Sequence, residues 1–211
     1  MSWKGIAANV LERAGVREQD GLAARVPYRL PGGAEHAAKI FGSGRRWWER
    51  PGVDLILFGL ETLPRNPEFA AHCGILLCEG ESDALASREA FAVSEQPDVV
   101  AWYAIALPGS GTWRRSWRSH LLPFPLVYLL GDGDRAGRAM NARIKRDVPW
   151  ARPVWLPEGE DVRSILQGYG PRALDGLLDA ADADARLAAA FVLAHDLTTF
   201  EALLRGEEVQ R

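Results

Sequence analysis

The chain has only two cysteines among its 211 residues, Cys73 and Cys78, five positions apart. Two thiols build neither a disulfide framework nor a four-ligand zinc site, which excludes a stapled scaffold and a zinc module. Long apolar runs are missing as well. No stretch approaches the roughly 20 residues needed to span a bilayer, and the start, Met1-Ser2-Trp3-Lys4-Gly5, lacks a secretory apolar segment. A cytoplasmic location and no membrane partner are therefore expected. The four histidines, His36, His72, His120 and His195, fall at no metal-ligand spacing. No Ser-His-Asp order is suggested, and no glycine-rich loop runs into the Lys-Ser/Thr of a nucleotide-hydrolysing loop. Charge of either sign is not in large excess, the formal net being −3; that average is silent about local patches.

What is present suits a globular α/β chain. With 47% apolar and 25% charged residues, its length fits one ordinary domain plus a smaller subdomain. Lys4 to Ala14 has the spacing of a short amphipathic helix, stopped at Gly15. From Arg25 to Leu60, apolar positions fall among Pro-Gly and Gly-Gly turns, which predicts a small β-rich subdomain. Beyond about Gly74, strands at Ile75 to Glu79, Val99 to Ala106, Leu126 to Leu130 and Pro153 to Leu156 alternate with helices near Asp83 to Phe91 and Arg135 to Arg146. That alternation predicts a mostly parallel sheet flanked by helices. Pro171 to Arg205 is rich in leucine and alanine at helical spacing and is expected to form two helices. The expected division is residues 1–70, an N-terminal basic α+β subdomain; 71–170, the α/β domain; and 171–211, a C-terminal helical tail.

Two acidic clusters stand where apolar strands end. Ile75-Leu76-Leu77-Cys78 runs into Glu79-Gly80-Glu81-Ser82-Asp83, and Leu126-Val127-Tyr128-Leu129-Leu130 into Gly131-Asp132-Gly133-Asp134-Arg135-Ala136-Gly137. Open α/β sheets place their chemistry at such strand ends. Asp132 and Asp134, two residues apart on an extended turn, can point the same way, and two like charges about 4 Å apart repel by roughly 4 kcal/mol at an effective dielectric of 20. A shared divalent cation relieves that repulsion, and Mg²⁺ takes hard oxygen ligands while accepting a phosphate oxygen. The plainer alternative is a solvated turn with Asx caps.

Arginines interleave with tryptophans in Gly44-Arg45-Arg46-Trp47-Trp48-Glu49-Arg50 and Trp113-Arg114-Arg115-Ser116-Trp117-Arg118. Arginine for phosphate and an aromatic face for a base is the pairing used on single strands, so Arg45, Arg46, Arg50, Trp113, Arg114 and Arg115 are candidate nucleic-acid or nucleotide contacts. A buried tryptophan with solvated arginine neighbours is the alternative. Between the patches and the acids lies Leu107-Pro108-Gly109-Ser110-Gly111-Thr112, a turn whose backbone could face a phosphate, with Ser110 as a contact.

Glu-Gly-x-x-Asp after one strand and Asp-x-Asp-x-x-Gly after another about fifty residues later resembles the Toprim domain, over Gly74 to about Gly170. Leu156-Pro157-Glu158-Gly159-Glu160-Asp161 is similar to the Leu-Pro-x-Gly-x-Asp segment of bacterial-type DNA primases and phage or plasmid replication proteins. The resemblance implies Glu79 as general acid or base and Asp132 and Asp134 as ligands of Mg²⁺ or Mn²⁺. It implies Asp83 as a supporting catalytic carboxylate and Asp161 as a further ligand, or else the N-cap of a helix from Val162. Gly80 and Gly137 permit close backbone approach. Arg163 departs from the pattern, which often has a carboxylate there. The implied activity is primer synthesis on a single-stranded DNA template from nucleoside triphosphates, alongside a helicase or other replication protein that supplies template selection, as in a mobile element. A metal-dependent nuclease and a non-catalytic nucleic-acid adaptor are the alternatives.

Overall fold

The structure, a computed structural model, describes residues 3–19, 23–91 and 100–186. It holds two four-stranded sheets. The first is antiparallel, in order β1-β2-β3-β4, from Arg17–Gln19, Ala23–Arg29, Glu35–Gly42 and Arg45–Trp48. It is preceded by α1, Ala8–Arg13, shorter than the expected helix from Lys4. The second sheet is parallel throughout, in order β6-β5-β7-β8, from Ala101–Ala106, Cys73–Cys78, Leu126–Leu130 and Arg152–Pro153.

Central position explains the composition of β5. All six of its residues are buried, as expected of a parallel strand covered on both faces. Successive side chains alternate between two cores: Leu76 and Cys78 join one, Ile75 and Leu77 the other. Gly74 continues the strand where the Trp102 ring lies so close that a Cβ would stand 2.1 Å from it. β8 is only two residues long, whereas Pro153 to Leu156 were expected to be strand; the Val154 N–H still bonds the Leu129 carbonyl, and the chain then runs on into the 157–160 turn.

Crossover helices are α3, Glu81–Ala90, and α4, Arg135–Asp147. α5, Val162–Tyr169, begins where Asp161 caps it, and a sixth helix occupies 171–186. The short α2, Pro67–Ala70, leads into β5. Val99, expected in β6, lies outside the described residues, as do residues 187–211 with the second expected tail helix and His195. The sixth helix is tied to the sheet through Asp182, which accepts from the Tyr128 hydroxyl at 2.5 Å and pairs with Arg152.

One core joins the two sheets. Val26, Tyr28 and Phe58 pack in the same buried cluster as Leu76, Cys78, Ala84 and Leu85. The other face of the parallel sheet is filled by Met140 and Ile144 of α4 with Trp113, Trp117, Leu121 and Phe124.

Candidate active site

Both acidic clusters arrive at the carboxyl edge of the parallel sheet because β5 and β7 are hydrogen-bonded neighbours, Cys78 opposite Leu130. Glu79 follows β5 directly, and its Oε2 accepts the amide N–H of Asp132 at 3.2 Å. Asp134 caps α4, accepting from the Gly137 N–H at 2.8 Å, and is exposed. The loop between is compressed against backbone. A Cβ on Gly137 would lie 2.1 Å from the Asp132 carbonyl oxygen, and one on Gly133 1.8 Å from that of Pro157. Gly133 also exchanges hydrogen bonds with the 157–160 turn, giving its N–H to Glu160 and accepting from Gly159. The buried Asn141 amide accepts from the Gly131 N–H and donates to the Val154 carbonyl, fixing β7's end to α4. Gly137→Ala is expected to displace Asp132, costing about 1–3 kcal/mol by overpacking and most of any metal-dependent activity; urea unfolding and turnover measured on one preparation check both.

Electrostatics mark the cluster. Burial, reinforced by Glu79, Asp83, Asp161 and Asp134, pushes the Asp132 carboxyl up to about 7. Burial and then Asp161 push Asp83 up to about 6, against the Arg163 N–H, Lys4 and Arg163. Asp132 Oδ1 is buried with no hydrogen-bond partner. Carboxyls raised this far above their usual range by burial and by one another, at the end of a strand, make the cluster a candidate functional site. Among the described residues no three side chains form a ready-made ion cage. Mg²⁺ does not require one, since it binds through one or two carboxylates, waters and substrate phosphates. Glu79 and Asp132, adjacent and all-oxygen, fit that requirement.

Asp161 is placed differently from a free ligand. Its Oδ1 accepts from the Ser164 N–H at 2.6 Å in a capping box, and its Oδ2 pairs with Arg163 at 2.9 Å. Both oxygens are engaged, so in this structure the side chain caps a helix, and Arg163, the residue that departs from the primase pattern, supplies its counter-charge. Trp113 also departs from its expected exposure. It is buried edge-on against Trp117, with its indole N–H on Asp147, so its ring fills the core and offers no face to a base. Gly80 stands before α3 in an extended conformation, and its Cβ position is 3.1 Å from Asp83 Oδ2.

The remaining candidates lie on β4 and on the segments that follow β4 and β6. Arg45 and Arg46 are exposed on edge strand β4, beside Trp47 at 49% exposure. Arg50 donates to the His36 carbonyl. Arg114 and Arg115 are exposed after the β6 turn, Arg114 at 3.8 Å from Asp54. Ser110 is half-buried on that turn, whose Thr112 amide and hydroxyl both close on the Gly109 carbonyl.

A buried ionic group was missed from the sequence. Lys39 Nζ donates to Glu81 Oε1 at 2.8 Å and to the Pro108 carbonyl at 2.7 Å, and the Tyr28 hydroxyl donates to the same Glu81 oxygen. Lys39 and Glu81 are almost wholly buried. One ammonium thus joins β3, the start of α3 and the turn after β6. Lys4, in a left-handed backbone conformation, donates to the Ser82 hydroxyl. A signal existed: only three lysines stand among 25 basic residues, and Lys39 sits inside the apolar run Ala37-Ala38-Lys39-Ile40-Phe41.

No protein-family model matches the chain. It is 30% identical over 98 residues to the Gene 57 protein of Mycobacterium phage D29, a match covering 46% of this chain and 58% of that protein; it thus spans little more than half of that relative. Solved structures are similar over more of the chain. The primase fragment of the bacteriophage T7 primase-helicase protein superposes with a TM-score of 0.68 at 18% identity, covering 83% of this chain and 72% of that one. The DnaG primase catalytic domain bound to single-stranded DNA gives 0.60 at 18% identity, covering 84% and 68%. The fold is that of the bacterial-type primase catalytic core.

Proposed function

We propose that this chain is a primer-synthesising nucleotidyltransferase, joining nucleoside triphosphates on a single-stranded DNA template with Mg²⁺ or Mn²⁺. The observation that bears most weight is Asp132, a carboxylate with a buried, unpartnered oxygen among Glu79, Asp83 and Asp134. Such a group is costly without a cation. Glu79 and Asp132 would hold a divalent ion, with Asp134, which caps α4, as a further candidate ligand; the ion would supply Lewis-acid stabilisation of charge on the transferring phosphoryl group.

The chain's own residues do the rest. Glu79, held by the Asp132 amide, is the carboxylate assigned to take the proton of a 3′-hydroxyl or to complete the metal's ligand set. Asp83, buried and oriented by the Arg163 N–H, keeps the cluster negative without contacting solvent. Arg45 and Arg46 offer guanidinium groups to template phosphates, and the exposed face of Trp47 offers stacking to a base. Arg114, Arg115 and Ser110, after β6, are the further candidate contacts. The DnaG neighbour's bound single strand supports a single-stranded template. A helicase or another replication protein is the proposed partner for template choice.

An assay with labelled ribonucleoside triphosphates, unlabelled template and Mg²⁺ or Mn²⁺, run beside an end-labelled strand, tests this. Short labelled products, absent in Asp132→Ala/Asp134→Ala, are expected. Shortening of the end-labelled strand without new products would make the same carboxylates those of a nuclease. Silence in both would leave a partner-dependent core or an adaptor. Arg45→Ala/Arg46→Ala is expected to weaken single-strand binding and to reduce the slope of log affinity against log salt by roughly 0.7 for each phosphate no longer neutralised, read by fluorescence anisotropy at several salt concentrations.

A further inference from the structure

A cavity of about 350 Å³ lies away from the carboxylates, lined by Arg13 of α1, Arg29 of β2, Glu61 and Thr62, Arg88 and Phe91 at the end of α3, and Trp102 to Ala104 of β6. Asp83 and Arg88 lie five positions apart on α3, about 7.5 Å of helix rise, and the cavity faces the early part of β6 whereas the acids stand beyond strand ends. Its volume is within the range of small-molecule sites, roughly 300–1,000 Å³.

Three guanidinium groups and one carboxylate meet there. Arg88 lies over the Phe58 ring at 5.1 Å and gives Nε and Nη2 to one acceptor, the Ala104 carbonyl. Arg29 reaches the Ala14 carbonyl at 3.4 Å, and Arg13 that of Asn9. None of the ion pairs among the described residues involves Arg13, Arg29 or Arg88. Glu61 Oε2 is buried and has no hydrogen-bond partner. The wall thus presents three guanidinium groups that form no ion pair within 4 Å among the described residues, with Glu61 as a longer-range counter-charge to Arg88 and Glu35 to Arg29, one oxygen without a donor, and the aromatic residues Phe91, Trp102 and Tyr103.

A ligand that meets all three requirements has an anion, N–H donors and a flat ring. Arginine selects phosphate through its planar fork of donors, a carboxylate takes the adjacent ring and exocyclic N–H groups of an amino-purine, and aromatic walls favour a heterocycle. We propose that this cavity is a second ligand site, which takes a purine nucleotide with its phosphates on the arginines and its amino edge on Glu61. Guanosine diphosphate is the first probe, because guanine offers two neighbouring N–H donors.

Calorimetric titration of the full chain in EDTA isolates this site, since without a cation the acidic cluster repels a diphosphate. Saturable binding of one guanosine diphosphate is expected, at least tenfold tighter than uridine diphosphate or inorganic phosphate. Arg13→Glu, at an exposed position, and Glu61→Leu, which removes an unpartnered buried oxygen, are each expected to weaken it at least tenfold, with unchanged circular dichroism. Absence of saturable binding to the wild type, binding indifferent to both variants, or equal affinity for the two diphosphates would each overturn the proposal.

Discussion

Asp132→Ala is expected to abolish primer synthesis, by about 10³-fold or more if the several kcal/mol of charge stabilisation that a metal provides is lost, while the fold persists. The same variant should make the metal-free protein more stable at pH 8. An unfolded aspartate ionises near 4, whereas burial and the neighbouring carboxylates keep the folded Asp132 protonated up to about 7. Between those values the folded state binds more protons, so metal-free stability falls as pH rises. Solvent reaches part of the group, and with that screening the penalty above pH 7 comes to about 1 kcal/mol. Urea unfolding in EDTA at pH 5 and pH 8 checks the sign: the wild type should lose more stability than Asp132→Ala between them. A variant that is less stable than wild type at pH 8 in EDTA would contradict the electrostatic account. Added Mg²⁺ should recover the wild-type loss and leave the variant unmoved.

Lys39→Met should be the most damaging single change to stability. It strands Glu81, 3% exposed, with only the Tyr28 hydroxyl as a close donor, and removing one partner of a buried pair costs about 3–5 kcal/mol. For a chain of this size that lowers Tm by roughly 10 °C. Lys39→Met/Glu81→Leu should regain much of the loss, because the uncompensated charge is then gone. Thermal unfolding of both variants decides it, and a double variant no better than the single would show that packing, and not the stranded charge, sets the penalty.

The parallel sheet and its acidic edge were legible because their signals are local. Four or five apolar residues running into glycine and carboxylate name a strand end, and Asp161 as the N-cap of a helix from Val162 was readable as one of two alternatives. What stayed hidden depends on distant segments meeting. Trp113 has arginine neighbours on the chain, and only the packing of α4 against its turn makes it a core residue. Lys39 and Glu81 are 42 residues apart, and nothing in either segment alone says that an ammonium from an antiparallel sheet will be buried against the first turn of a crossover helix. Glu81 sits within the acidic cluster, where it reads as one more negative charge and not as half of an ion pair. The end of β8 was blurred for a different reason: Val154 still gives its N–H to the Leu129 carbonyl of β7, and β-forming residues such as Trp155 continue past that last bond.

The shared core and the Lys39 bridge also bear on how such a chain can be altered over time. Glu81 beside the acidic edge is tolerable only while β3 brings Lys39 to it, and Tyr28 fills the same core as Leu76. The antiparallel sheet therefore cannot be lost, or exchanged for an unrelated module, without leaving a naked charge and an open flank beside the acids. Inheritance of the two sheets is coupled: recombination between relatives should find its tolerated crossover points outside the span from Tyr28 to Glu81, however loosely the intervening loops are conserved in length.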